Sequence, residues 1–276
     1  MVFLKGCTLR CRWCCNPEAM LPELVLMFNP ALCIGCGACL AVCPVHASGT
    51  VDKIVVDRTR CTGCGACAEV CFAEAKYRME REMEAEELME EIRKDRTFYG
   101  RTHGGVTFSG GEALLQPAFL GEMLTLCRKE GIGTAVETCE NVPWENFERT
   151  LFGMDEYLYD IKHTDSARHR EYTGSGCERI MENCRKLISC GKRVVVRTPV
   201  IPEFNFDRQS LAGILRFAEE AGAEEVNFLP YHRYAANKYL YLGREYWNPG
   251  INKLERAQVE ECLSGIKTTI RFRVDG

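Results

Sequence analysis

The chain has 276 residues, of which 27% are charged, and its formal net charge is −4 at pH 7. This length can bury the core of a barrel-sized domain with an added small module, and the near balance of charge argues against electrostatic binding of nucleic acid. No apolar run approaches the roughly 20 residues of a membrane-spanning helix, and the start MVFLKGC is too short to be a secretory signal.

Cysteine usage is far above normal and indicates metal binding. Eleven of the 18 cysteines fall into three tight runs with metal-ligand spacing. Many cysteines in a small secreted protein would indicate disulfides, whereas these runs indicate a reducing cytoplasm with iron–sulfur clusters, in an anaerobic or oxygen-protected setting. Apart from Cys15, the cysteines outside the runs are predicted to be buried apolar side chains, and they are Cys127, Cys139, Cys177, Cys184, Cys190 and Cys262.

The first run is C-x3-C-x2-C, formed by Cys7, Cys11 and Cys14 directly after the predicted strand VFLKG. A 4Fe–4S cluster has four irons, and each normally takes one thiolate. Three cysteines leave one iron free for a ligand, in the way that catalytic metal sites keep an open position. Cys15 is badly placed to reach the fourth iron because it directly follows Cys14. The spacing alone is also compatible with a structural zinc or disulfide site.

The second feature is an internal repeat with an offset of 28 residues, in which CIGCGACLAVC begins at Cys33 and CTGCGACAEVC begins at Cys61. Both copies have the C-x2-C-x2-C-x3-C spacing of bacterial ferredoxins, where the fourth cysteine of each run binds the other cluster. That rule assigns the ligands of two 4Fe–4S clusters as Cys33, Cys36, Cys39 and Cys71, and as Cys61, Cys64, Cys67 and Cys43. Zinc ribbons would instead have two C-x2-C pairs separated by a longer loop. We therefore predict an inserted ferredoxin-like domain over residues 27–77.

The rest of the chain, residues 1–26 and 78–276, is predicted to form one α/β unit. A charged amphipathic helix is predicted over 79–95, and apolar strands then alternate with helices, as in a parallel sheet covered by helices. The predicted strands are VFLKG, 105–110, 132–138, 156–162, 193–199 and 225–230, with TTIRFRV as a final strand. The predicted helices lie near 116–130, 143–151, 178–190, 207–221 and 253–265.

Polar motifs lie at the carboxyl ends of these strands, which is the edge at which α/β barrels build active sites. They are Cys7, Ser109–Glu112, Glu137–Thr138, Asp160–Lys162, Arg197 and His232. Their agreement over six strands favours a partial six-stranded (β/α) barrel, although a doubly wound sheet is not excluded by sequence.

The loop after the second barrel strand, TFSGGEALLQ, contains Gly110, Gly111 and Glu112. The two glycines permit a backbone path along a ligand, and Glu112 offers a carboxylate to an ammonium group. A lone SGGE is equally compatible with a tight turn, and its position after the cysteine triplet is what makes it informative.

The segments HGGVTFSGGEALLQ, YLYDIKHTD, VVVRTPVIPEFN and NFLPYHRYAANKY, together with the cysteine triplet, resemble the glycyl-radical-enzyme activating enzymes. These are radical S-adenosylmethionine (SAM) enzymes, similar to pyruvate formate-lyase activase. The resemblance covers nearly the whole chain, and the ferredoxin-type runs are similar to the subgroup with an inserted two-cluster module. It implies a partial barrel of the radical SAM type, three 4Fe–4S clusters and SAM.

The resemblance also implies roles for individual residues. Cys7, Cys11 and Cys14 would hold the cluster that reduces SAM, and the glycines and glutamate of the SGGE loop would bind its amine. The residues implied to lie around SAM are Trp13, Gly110, Gly111, Glu112, Glu137, Thr138, Asp160, Lys162, Arg197 and His232. Trp13 would pack near the adenine and Arg197 near the substrate peptide, although Trp13 is equally compatible with a place in the core and Lys162 with a surface cation.

Two departures from the family pattern affect these expectations. Glu137–Thr138 stands where the family usually has an Asp–Thr pair. The longer side chain of glutamate could change the binding of a monovalent cation near SAM. The family also has a segment before the cysteine motif, whereas Met1 stands directly before it here, so the chain is either naturally short or truncated.

The resemblance implies an activase that cleaves SAM to a 5′-deoxyadenosyl radical and takes hydrogen from a glycine of a partner glycyl radical enzyme. A flavodoxin or ferredoxin would supply electrons to a cytoplasmic monomer without nucleic-acid or membrane partners. Two alternatives stay open: a radical SAM enzyme for a small molecule, and a ferredoxin-type electron carrier. The SGGE loop, the LPYH segment and the cysteine triplet argue against the carrier.

Overall fold

The computed structural model describes the chain except residues 52, 103, 248, 249, 251 and 276. Its strands are β1 (Val2–Leu4), β2 (Met27–Phe28), β3 (Ser48–Val51), β4 (Lys53–Val56), β5 (Lys76–Tyr77), β6 (Gly105–Gly110), β7 (Gly133–Thr138), β8 (Glu156–Asp160), β9 (Arg193–Val200), β10 (Glu225–Pro230) and β11 (Phe272–Val274). Its helices are α1 (Ala38–Ala41), α2 (Ala66–Glu69), α3 (Ala85–Arg93), α4 (Arg96–Thr102), α5 (Pro117–Lys129), α6 (Trp144–Glu148), α7 (Ser166–Thr173), α8 (Glu178–Ser189), α9 (Arg208–Ala221), α10 (Ala236–Tyr241) and α11 (Arg256–Leu263).

The main sheet is parallel throughout and has the strand order β1-β6-β7-β8-β9-β10-β11. The predicted α/β fold with a parallel sheet is therefore confirmed. The sheet has seven strands rather than six, because β11 pairs in parallel with β10. The strands β1 and β11 are its two edges, so the sheet is open, as a partial barrel requires.

The apolar side chains of the strands and of the flanking helices form one core. Phe108, Val136, Tyr157, Val196 and Phe228 are fully buried on consecutive strands. The helices pack against them because apolar residues recur on one face, and they begin and end at clear signals. In α9, for example, the Asp207 carboxylate accepts from the Ser210 amide at 2.8 Å, and Gly222 ends the helix with φ = 82°.

The predicted helices are present with shifted bounds, and five short helices of the described part of the chain were not predicted. The helix predicted over 79–95 begins at Ala85, and a second helix, α4, follows it. The helices that were not predicted are α1, α2, α4, α7 and α10, which are short and lack the periodic apolar pattern that identified the others. None of the helices in the described part of the chain has the length and apolarity needed to span a bilayer.

Residues 27–77 contain two small sheets and their own apolar cluster. The strand β2 pairs antiparallel with β5 at the two ends of this range, and β3 pairs with β4 as a hairpin. The two halves of residues 27–77 have the same backbone conformation at positions 28 residues apart. Gly37 and Gly65, with φ of 75° and 86°, precede α1 and α2, and His46 and Glu74 share a φ of 49°.

Candidate active site

The cysteine triplet lies in the loop that leaves β1 at the carboxyl edge of the sheet. The amide of Cys7 donates to the Met20 carbonyl at 3.1 Å, which folds the loop back on itself. The amides of Leu9 and Asn16 donate to the sulfurs of Cys7 and Cys14, each at 3.4 Å. Such N–H···S bonds stabilise a negative charge on sulfur, as a thiolate ligand requires.

Burial governs the protonation of two free thiols in this loop, those of Cys11 and Cys14. Burial raises the pKa of Cys11 to about 12 and also raises the pKa of Cys14. Cys7 and Cys11 each add to the pKa rise at Cys14, which indicates that the three side chains lie close together. Because a bound cation would deprotonate these thiols, the triplet has the chemistry expected of a metal-ligating group.

Cys139 adjoins the triplet, a position that the sequence did not reveal. Its sulfur lies 3.7 Å from the Cys7 sulfur, and this contact lowers the pKa of Cys7 while it raises that of Cys139. The prediction of a buried side chain is correct for Cys139, but Cys190 is exposed and Cys262 is only partly buried. The available signal for Cys139 was its place directly after Glu137–Thr138, at the end of a barrel strand.

Gly110 and Gly111 hold the triplet loop against the SGGE loop. A Cβ on Gly110, whose φ is 120°, would lie 2.1 Å from the Leu4 carbonyl oxygen, and one on Gly111 would lie 2.2 Å from the Gly6 carbonyl oxygen. The amides of Gly111 and Glu112 donate to these same two oxygens at 2.9 and 2.7 Å. Only glycine permits this close approach, which places the two loops side by side.

Glu112 has surroundings that differ from those predicted. It is fully buried, and its carboxylate accepts from the amides of Leu114, Cys139 and Glu140 at 2.8–3.0 Å. The Thr138 hydroxyl donates to the same group at 2.7 Å. The carboxylate therefore joins the loop after β6 to the loop after β7 and is already occupied, so its geometry does not support the predicted bond to an ammonium group.

Two ion pairs lie on the neighbouring strands. The buried Lys162 ammonium lies 2.7 Å from the Asp160 carboxylate, and although burial opposes it, this partner raises the pKa of Lys162. Lys162 is thus not a surface cation. On the next strand Arg197 pairs with Glu137, which also accepts from the Ser109 hydroxyl at 2.7 Å. The sequence predicted that Glu137 affects the binding of a monovalent cation near SAM. In the structure the partner of its carboxylate is the Arg197 guanidinium.

The two predicted aromatic contacts with SAM have different settings. Trp13 is 5% exposed and packs on Phe204, with ring centroids 4.7 Å apart, which corresponds to the core position that the sequence left open. His232 follows β10 and stacks on Tyr234 with centroids 4.1 Å apart, and burial lowers its pKa.

The cysteines of the two repeated runs line two separate cavities. One cavity is lined by Cys33, Cys36, Cys39 and Cys71, and the other by Cys43, Cys61, Cys64 and Cys67. The amides of Lys76 and Ala47 donate to the Cys71 and Cys43 sulfurs at 3.4 and 3.2 Å. Among the residues described, no three His, Cys, Asp or Glu side chains are placed to hold a single metal ion.

Glu140 is a buried carboxyl in this site that the sequence did not single out. It is fully buried with φ = 58°, and one carboxyl oxygen accepts from the Asp160 amide at 3.1 Å. The other oxygen is buried without a protein partner in the described structure. Burial, with Asp160 and Glu112 nearby, holds the pKa of Glu140 well above its usual range.

We expect Glu140→Gln to stabilise the protein increasingly as the pH rises. Because the folded pKa is raised, wild-type stability falls by about 1.4 kcal/mol per pH unit between the unfolded pKa of about 4.3 and the folded pKa. Glutamine has no such loss and keeps an oxygen for the Asp160 amide. Thermal unfolding midpoints at pH 5 and pH 8 measure this, with the exposed Glu145→Gln as the control. A pH-independent difference would contradict the assignment.

The chain is similar to proteins of one superfamily. The family model described as Radical SAM superfamily matches residues 1–215. The chain is 37% identical to the choline trimethylamine-lyase activating enzyme of Oleidesulfovibrio alaskensis, over 95% of this chain and 88% of that protein. It is 41% identical to the isethionate sulfite-lyase activating enzyme of Desulfovibrio desulfuricans, over 89% of this chain and 81% of that protein. The crystal structure of Streptococcus suis SuiB bound to precursor peptide SuiA matches with a TM-score of 0.56 at 14% identity, over 72% of this chain and 44% of that chain, which is a likeness of fold.

Proposed function

This chain belongs to the radical SAM superfamily, among the activating enzymes of glycyl radical enzymes, and we propose that it takes a hydrogen atom from a glycine of such a partner. The observation that carries the proposal is the close packing of the cysteine triplet loop on the SGGE loop at the carboxyl edge of the sheet. The proposal is supported by two relatives named as activating enzymes, each aligned over more than four fifths of its length.

We propose that Cys7, Cys11 and Cys14 hold a 4Fe–4S cluster with one open iron. The main-chain amides already directed at two of the sulfurs support this. With the cluster and SAM bound, the cofactors supply a 5′-deoxyadenosyl radical by reductive cleavage of the sulfonium C–S bond. The chain's own residues bind and orient the reactants and exclude water.

Lys162 is the residue that we propose to bind the SAM carboxylate, because it is a buried ammonium at the end of β8. Asp160 keeps that ammonium in position through the 2.7 Å ion pair. For the SAM amine, the main-chain carbonyls of Gly110 and Gly111 replace the Glu112 carboxylate as proposed acceptors. Thr138 fixes these loops through its bond to Glu112.

The outer part of the proposed site faces the partner. Arg197, held by Glu137, lies within the carboxyl half of β9, and we propose that a substrate peptide enters on this side of the sheet. We keep His232 as a proposed contact of the nucleoside, and Trp13 as a residue that supports the site through Phe204. The open sheet supports a macromolecular substrate, because a glycine-bearing loop needs an unclosed edge to enter.

We further propose that residues 27–77 form an inserted module with two more 4Fe–4S clusters, each in one of the cysteine-lined cavities. The cavity with Cys61 includes Leu26 in its wall, and a Cβ on Gly63 in that wall would lie 2.1 Å from the Leu24 carbonyl oxygen. This cavity therefore adjoins the segment that connects the module to the triplet.

The helix α10 supports an electron path from this module to the triplet. Arg58 donates to the carbonyls of Leu26 and Tyr241, both at 2.5 Å. Lys238 on the same helix donates to the Cys15 carbonyl at 3.1 Å, in the triplet loop. We propose that electrons enter from a flavodoxin or ferredoxin, reach the cavity with Cys61 last, and pass from there to the triplet.

Electron paramagnetic resonance (EPR) spectroscopy tests this function. The reconstituted chain is reduced anaerobically with SAM and mixed with glycyl radical enzymes of the kinds activated by its relatives. We expect a doublet glycyl-radical signal with one partner and none without a partner. Release of 5′-deoxyadenosine without a radical on any partner would instead favour a small-molecule substrate. No release by protein that carries its full iron would favour an electron carrier.

A further inference from the structure

Lys76 in β5 is a buried ammonium group that forms no ion pair with a carboxylate of the described residues. It is 2% exposed, and its Nζ atom donates to the Ser48 hydroxyl at 2.6 Å. The ammonium also lies 5.4 Å from the centroid of the Phe28 ring. Among the ion pairs of the described residues, none includes Lys76. One hydroxyl and one ring do not offset the cost of burying a charge, so a negative partner is expected.

The position of Lys76 indicates what that partner is. Lys76 lines the cavity of Cys33, Cys36, Cys39 and Cys71, and its own amide donates to the Cys71 sulfur. Ser48, which holds the ammonium, lines the other cysteine cavity. The Lys76–Ser48 pair therefore forms part of the partition between the two cavities.

The internal repeat indicates that the lysine is not needed for the backbone of the module. Ser48 and Lys76 are separated by the same 28 residues that relate the two cysteine runs. Equivalent glycines have equivalent φ values in the two halves. Since the serine half adopts the same path, the lysine at position 76 adds a charge that the fold itself does not require.

We propose that Lys76 is the counter-ion of two clusters held in these cavities and that its charge makes both of them easier to reduce. This inference rests on the proposed function, which assigns clusters to the cavities. A cluster bound by four thiolates is anionic, and each one-electron reduction by the donor protein adds one negative charge without forming or breaking a bond. A buried cation next to the cavity stabilises the reduced form more than the oxidised form, which raises the reduction potential.

An EPR-monitored redox titration of the anaerobically reconstituted full chain tests the proposal. In Lys76→Met, which keeps the side-chain length and removes the charge, we expect the equilibrium constant for one-electron reduction of both module clusters to fall at least tenfold. A tenfold fall corresponds to a 59 mV lower midpoint. The cluster whose signal changes on addition of SAM should keep its potential. The exposed Lys94→Met is the matched control and should leave all midpoints unchanged.

A second variant keeps the test decisive if Lys76→Met loses its clusters. Ser48→Asp retains the lysine but places a carboxylate against its ammonium, so it should lower the same two potentials. The midpoints are compared in each variant that retains about twelve irons per chain. If they equal those of the wild type, the role of Lys76 is overturned and the proposed function stays intact. Wild-type protein with only about four irons would overturn the proposed module clusters, and the role of Lys76 with them.

Discussion

Cys11→Ala is expected to abolish reductive cleavage of SAM while the module keeps its clusters. The iron content should fall from about twelve to about eight per chain, because only the triplet loses a required ligand. The low-temperature EPR signals of the reduced module should persist, and 5′-deoxyadenosine should fall to the background of a reaction without protein.

Cys15→Ala is the matched control for this prediction. Cys15 directly follows Cys14 but is exposed, and the proposed ligand set excludes it. Its variant should keep about twelve irons and cleave SAM. Cleavage by Cys11→Ala at the wild-type rate would remove Cys11 from the ligand set.

The second large effect is expected for Glu112→Ala, as a loss of stability. The substitution leaves three buried amides, those of Leu114, Cys139 and Glu140, without their acceptor. At 1–3 kcal/mol for each unsatisfied buried group, the expected loss is about 3 kcal/mol or more. For a chain of this size that corresponds to a thermal midpoint lower by about 6 °C or more.

Anaerobic thermal unfolding of the reconstituted protein measures this effect, with Glu122→Ala on the exposed face of α5 as the control. The control should unfold close to the wild-type midpoint. A Glu112→Ala variant as stable as wild type, with weakened SAM binding as its only defect, would restore the ammonium-binding role that the sequence suggested.

The fold was predictable from sequence where the apolar pattern is periodic. The strands from β6 to β10 lie within two residues of their predicted bounds, because each is a short apolar run followed by a turn and a helix. The seventh strand was harder to assign, since TTIRFRV does not reveal which sheet it joins. The helix α7 has clear capping residues, Asp165 and Gly174, but few apolar residues between them.

The site was predictable in its residue types but not in its contacts. The cysteine triplet was noticeable from its spacing, because its three cysteines lie within eight residues. The hydrogen-bond partners of Glu112 and the ion-pair partner of Arg197 could not be predicted from residue spacing. Cys139 is 27 residues from Glu112, and Glu137 is 60 residues from Arg197. The first pair meets across the adjacent strands β6 and β7, and the second pair meets across β8, which lies between β7 and β9.

Transfer of an isotope from the partner glycine tests the central claim most directly. A partner glycyl radical enzyme is produced with its glycines deuterated at the α carbon and is incubated with the reduced chain and SAM. We predict that the released 5′-deoxyadenosine contains one deuterium per glycyl radical formed, as measured by mass spectrometry. Release of 5′-deoxyadenosine without deuterium, while a glycyl radical appears on the partner, would contradict direct abstraction of hydrogen from that glycine.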